Sequence, residues 1–139
     1  MIRYLIDTSA YVHLVTHPDD MVGWDAEIET GAIGISEATR TEILFSANGP
    51  ADRDDIESDL SALFGLVRIP KDAWRWVENA QYKLTQKGRH RAAGPLDLLV
   101  CATAVHHGLT VLHRDNDFAT VARVIKEVHQ RDVRRIEED

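Results

Sequence analysis

The chain has 139 residues, 44% of them apolar, and carries 16 Lys and Arg against 23 Asp and Glu, a net charge of −7. That size and composition fit a single domain over residues 1–139 and exclude a disordered chain. The charge excludes a general polyanion binder of the histone type, but not a local basic groove beside an acidic metal site.

Cys101 is the only cysteine, so no internal disulfide can form. It lies in an apolar helix and reads as a small core residue in a reducing compartment. No run is long enough to cross a bilayer, and Arg3 and Asp7 interrupt the apolar N-terminal "MIRYLIDTSAYVHLV". A soluble, cytoplasmic protein is expected.

In chain order, "IRYLI" reads as a strand buried on both faces. "TSAYVHLV" is helical and "THPDD" breaks it. "DMVGWDAEIETG" follows as a helix ending at Gly31. "AIGI" is a second strand. "SEATRTEILFSANG" has Ser36 as N-cap and Asn48-Gly49 as stop. "PADRDDIESDLSALFG" opens on Pro50, closes at Gly65 and turns Ile56, Leu60, Leu63 and Phe64 inward. "LVRI" is a third strand. "DAWRWVENAQYKLTQKG" has Asp72 as cap, with Ala73, Trp74, Val77, Ala80 and Leu84 on one stripe. A polar loop "RHRAAG" leads to the helix from Pro95, then to a fourth strand "LTVLH" and a helix "FATVARVI". The charged tail holds a last short strand around Val128 or Val133. Strands alternating with helices predict an α/β fold: three layers, α/β/α, around a mostly parallel sheet of four or five strands.

Sites in open parallel sheets form at the carboxyl ends of strands. Asp7 directly follows "IRYLI", and Asp115 and Asp117 follow "LTVLH". Asp97 opens the helix that precedes "LTVLH", and that helix begins at the same edge. Each acid alone has an ordinary explanation. Asp7 can cap the next helix, Asp97 can answer a helix dipole, and Asp115 and Asp117 can form a turn and cap. Together, crowded carboxylates resist ionising unless a cation sits among them, and oxygen ligands suit Mg²⁺ or Mn²⁺. Zinc fits less well: His106 and His107 point about 100° apart on one helix, and no paired-cysteine motif exists. Glu42 reads on its own as a solvated helix residue.

A strand ending in "DTSA", a helix with "TRTEIL", a "PLDLLVCATA" helix and an "LHRDNDF" turn together resemble the PIN-domain nucleases, above all the VapC-type toxins of prokaryotic toxin–antitoxin pairs. The likeness spans essentially the whole chain in the right order. It implies an acidic metal site in which Asp7, Glu42, Asp97 and Asp115 are catalytic. Asp7, Asp97, Asp115 and Asp117 would hold Mg²⁺ or Mn²⁺, and Ser9 would support the first acid. It further implies an endoribonuclease that leaves 5′-phosphate and 3′-hydroxyl ends and inhibits translation and growth. A cognate VapB-type antitoxin and a homodimer are implied as well. One position departs from the pattern: His113 stands where the family often has Thr or Ser, and it either contacts phosphate or metal or ends a strand.

For RNA, the segment "YKLTQKGRHR" offers Lys83, Lys87, Arg89 and Arg91, with Tyr82 and His90 available for stacking. Its alternative is a solvated helix end. Trp74 and Trp76 cannot share one helix face, so one of them is expected at the surface. The tail arginines Arg131, Arg134 and Arg135 receive no role. Alternatives to a toxin are a PIN-like RNA-processing nuclease and a non-catalytic metal- or RNA-binding module. A phosphoacceptor domain lacks its strand-end lysine, and the haloacid-dehalogenase pattern lacks a second acid two residues after Asp7.

Overall fold

A computed structural model describes residues 1–134, so Arg135 lies outside the described residues. Five strands form one all-parallel sheet: β1 (Tyr4–Ile6), β2 (Ile33–Ser36), β3 (Gly65–Val67), β4 (Thr110–His113) and β5 (His129–Asp132). Their order is β3-β2-β1-β4-β5. Eight helices are described: α1 (Thr8–Thr16), α2 (Pro18–Val22), α3 (Asp25–Glu29), α4 (Glu37–Phe45), α5 (Pro50–Leu63), α6 (Ala73–Gln86), α7 (Pro95–His107) and α8 (Asn116–Val124). None is long and apolar enough to cross a membrane.

Alternation along the central strands divides the interior into two cores. Leu5 and Val111 face α6, α7 and α8. Tyr4, Ile6 and Leu112 face the other layer, built from α1 to α5. Both faces are covered, which is why these strands read as continuous apolar runs. Cys101 is fully buried in the first core, and burial pushes its thiol far up, so it stays a neutral thiol.

Four expectations change. The stretch from Pro18 to Glu29 is two short helices rather than a break and one helix, because Pro18 starts α2 at its first turn. Trp24 lies at their junction, fully buried, and its indole N–H donates to the Val133 carbonyl at 2.8 Å. A buried indole needs an acceptor, and the segment after β5 supplies one. Gly65 does not end α5 but opens β3. On α6 the stripe of Ala73, Val77, Ala80 and Leu84 is buried, but Trp74 is 52% exposed. Trp76 packs on the core instead, its indole N–H donating to Glu127 at 2.8 Å. Asp72 occupies the N-cap position of α6 without a side-chain bond, because its backbone is not extended (φ −101°, ψ 24°). The last strand falls between Val128 and Val133.

Gly34 sits mid-strand beside Gly65 in the β2–β3 ladder. A Cβ there would lie 2.5 Å from Val67 Cγ2 and 3.1 Å from the Gly65 carbonyl oxygen. Gly34→Ala should therefore lower stability by about 2 kcal/mol, read as a fall in the urea midpoint at unchanged m-value.

Candidate active site

The strand order reverses at β1. β2 and β3 extend the sheet on one side of it, and β4 and β5 on the other. The carboxyl ends of β1 and β4 therefore flank the switch-point crevice of an open α/β sheet. The Asp7 N–H prolongs the pairing by donating to the Leu112 carbonyl at 2.9 Å.

Two of the acids do cap helices, as their ordinary explanation requires. Asp7 Oδ2 accepts the Ser9 N–H at 3.1 Å and the Ser9 hydroxyl at 2.8 Å. Asp115 Oδ1 accepts the Asp117 N–H at 3.0 Å. Capping does not compete with a second role, because a carboxylate has two oxygens and about four acceptor positions. Asp97 lies in the first turn of α7, whose N-cap, Gly94, has no side chain to bond.

One carboxylate oxygen each from Asp97, Asp115 and Asp117 lies within 4.8 Å of the others. Asp7, 5% exposed, stands outside this tight set but inside its field. Burial, followed by Asp7, Asp115, Glu42 and Asp117, pushes the Asp97 carboxyl up to about 6. Asp7 is also raised, mainly by burial and slightly by Glu42, against the lowering effect of its Ser9 bonds. Asp117 is raised by burial and by Asp115. An all-oxygen donor set with mutually repelling charges fits a hard divalent cation.

Glu42 reaches the cluster through helix packing. Ser36 caps α4 at the end of β2, accepting the Thr39 N–H at 3.3 Å, and α4 contacts both α1 and α7. The Thr8 hydroxyl donates to Glu42 Oε1 at 2.5 Å. Thr8 was not among the predicted site residues, although its place in "DTS" beside the first acid is the available signal. The Ser9 hydroxyl also accepts the Arg114 N–H at 2.9 Å, so it joins the ends of β1 and β4. His113 is buried and both its ring nitrogens have protein partners, Asp115 N and Gln130. His106 and His107 lie at the far end of α7, and His107 Nε2 bonds the Arg68 carbonyl at 2.8 Å. Lys83, Lys87, Arg89 and Arg91 are exposed on the last turn of α6 and the loop leading to α7.

The folded state binds a proton at Asp97 more tightly than the unfolded chain does. Without metal, the contribution of the Asp97 carboxyl to stability is therefore fully present below about pH 4 and is lost as pH rises through about 6. Asp97→Asn should raise apo stability at pH 7 by about 1 kcal/mol, since water screens part of the repulsion, and the gain should vanish below about pH 4. Urea titrations of both proteins in chelator across that range measure it.

The family model for the PIN domain matches residues 4–124. Ribonuclease VapC2 of Mycobacterium tuberculosis is 43% identical over 122 residues, 86% of this chain and 85% of that protein. In fold, the chain is similar to VapBC2 from Rickettsia felis, solved bound to a DNA fragment from its promoter (TM-score 0.77, 17% identity, 95% of this chain and 98% of that one). It is also similar to VapBC-5 from M. tuberculosis, a member of the VapBC family of toxin–antitoxin systems (TM-score 0.60, 18% identity, 95% and 98% covered). With the PIN model spanning most of its length and a VapC relative this similar, the chain belongs to the PIN-domain family, in its VapC group.

Proposed function

We propose that this protein is a Mg²⁺- or Mn²⁺-dependent endoribonuclease that acts as the toxin of a toxin–antitoxin pair. The observation that carries the chemistry is the set of Asp97, Asp115 and Asp117 oxygens packed within 4.8 Å at the β1–β4 switch point. When bound, the ion acidifies the attacking water and offsets the charge that builds on the phosphoryl oxygens.

Asp97, Asp115 and Asp117 would hold the ion, with Asp7, whose charge is felt at Asp97, completing the acidic set directly or through water. Ser9 keeps Asp7 in register with the Asp115 turn through its two bonds. Glu42 has one oxygen fixed by Thr8, and the other is free to orient the water and take its proton. The water oxygen bonds to phosphorus as the bond to the 3′ oxygen breaks, leaving a 5′-phosphate and a 3′-hydroxyl. The ribose 2′-hydroxyl is not the nucleophile. Lys83, Lys87, Arg89 and Arg91 guide the RNA backbone along α6 toward the start of α7, and Tyr82, 66% exposed, is available for stacking.

The VapC2 name supports RNA as the substrate, and the VapBC-5 system supports a VapB-type antitoxin as partner. Exposed Val12, Val15, Val22 and Phe45 on α1, α2 and α4 give that partner apolar surface to cover.

Purified protein should cut total RNA in Mg²⁺ or Mn²⁺ and stop when the metal is chelated. Asp97→Asn and Glu42→Gln should each lower kcat by about 10²-fold or more while remaining folded. Variants as active as the wild type would sink the assignment. A single 2′-deoxy substitution at a mapped cut should leave cleavage intact. Alanine at Lys83, Lys87, Arg89 or Arg91 should raise KM and flatten its salt dependence by about one charge each, with kcat unchanged.

A further inference from the structure

Three backbone N–H groups in the turn from Arg114 to Asp117 are taken by side chains: Arg114 by Ser9, Asp115 by His113 and Asp117 by Asp115. Ser9 and Asp115 already belong to the site. His113 does not, and it is the last residue of β4, 2% exposed. Its Nδ1 lies 3.0 Å from the Asp115 backbone nitrogen. A backbone N–H can only donate, so Nδ1 accepts, and in the neutral ring the proton sits on Nε2. Nε2–H then donates to Gln130 Oε1 on β5 at 2.6 Å. The ring packs on Phe118 of α8, centroids 5.1 Å apart, and the His113 carbonyl accepts the Val133 N–H at 2.7 Å.

A side-chain acceptor for the N–H two residues along is how Asn, Asp, Ser and Thr close local turns. Here an imidazole does so, and Asp115 repeats the pattern onto Asp117. Two successive closures thus fix the backbone that carries both carboxylates. The first of them is anchored to the edge strand through Gln130.

We propose that His113 is a positioning residue for the metal-holding turn. As a neutral, Nε2-protonated ring it aims the Asp115 and Asp117 carboxylates by holding the Asp115 N–H, and it touches neither metal nor RNA. Its effect on metal affinity rests on the metal-site reading above, whereas its hold on the turn does not.

The test compares wild type, His113→Asn and His113→Phe. Asn can still accept the Asp115 N–H, and Phe keeps a buried ring without an acceptor. Calorimetry with Mn²⁺ alone should show about tenfold weaker binding for Phe and a value within about threefold of wild type for Asn. Hydrogen exchange at the Asp115 amide of the apo proteins should rise about tenfold in Phe and little in Asn. Nitrogen NMR of wild-type apo protein should show the Nε2–H tautomer. Wild-type Mn²⁺ affinity and Asp115 protection in Phe would overturn the proposal. So would a folded Asn variant as impaired as Phe, or a wild-type ring protonated on Nδ1. If wild type binds no Mn²⁺, the metal reading fails, while amide exchange and the tautomer still decide the role of His113.

Discussion

Repulsion among carboxylates at the ends of β1 and β4 is the constraint around which this structure is arranged. Asp97, Asp115 and Asp117 lie within 4.8 Å, with Asp7 and Glu42 in their field. Left to themselves these groups would spread into solvent or take up protons. The fold prevents the first outcome and favours the second at Asp97, whose carboxyl burial pushes up to about 6, while helix starts offset part of the repulsion. Asp7 and Asp115 are caps, Asp97 stands in a first turn, and so the N-terminal ends of α1, α8 and α7 all present partial positive charge to the site. Apolar packing behind each element supplies the rigidity. Leu98 to Ala102 of α7 are buried immediately after Asp97, and Leu5, Ile6, Val111 and Leu112 are buried just before the strand-end acids. That packing offsets the cost of the crowded acids, which is the usual relation between stability and a preorganised functional centre.

Much of this was legible in the sequence because it depends on chain order. Parallel topology brings strand ends and preceding helix starts to one edge, and that placed Asp7, Asp97, Asp115 and Asp117 together before any distance was available. Glu42 was not legible this way. It lies in the second turn of α4, and whether that turn faces the crevice depends on how α4 packs on α1, which no local pattern encodes. The resemblance to PIN nucleases supplied Glu42, and the Thr8 bond supplies its physical reason. The placing of Trp74 and Trp76 differs from the expected stripe for a local reason as well. Both flank the α6 stripe; Trp76, three residues after Ala73 and four before Ala80, packs on the core, and Glu127 from a distant part of the chain accepts its indole N–H. Trp24 likewise takes its partner from Val133, 109 residues away.

A net charge of −7 does not preclude an RNA substrate, because four cations cluster in one stretch of the chain, from the end of α6 to the loop before α7. The acids occupy the first turn of α7 and the β4–α8 turn, while the cations occupy the end of α6 and the loop before α7.

The hydroxyl of Ser9 closes onto Arg114 across 105 residues. A pairing of that span forms only once nearly the whole chain is available, after the β4 region has docked beside β1. During synthesis, the ribosome must therefore release almost all of the sheet before the first and last acids meet. A nascent chain of this protein carries Asp7 and Glu42 early but has no assembled centre. A partial chain lacks the assembled acidic centre by topology until β4 has docked beside β1.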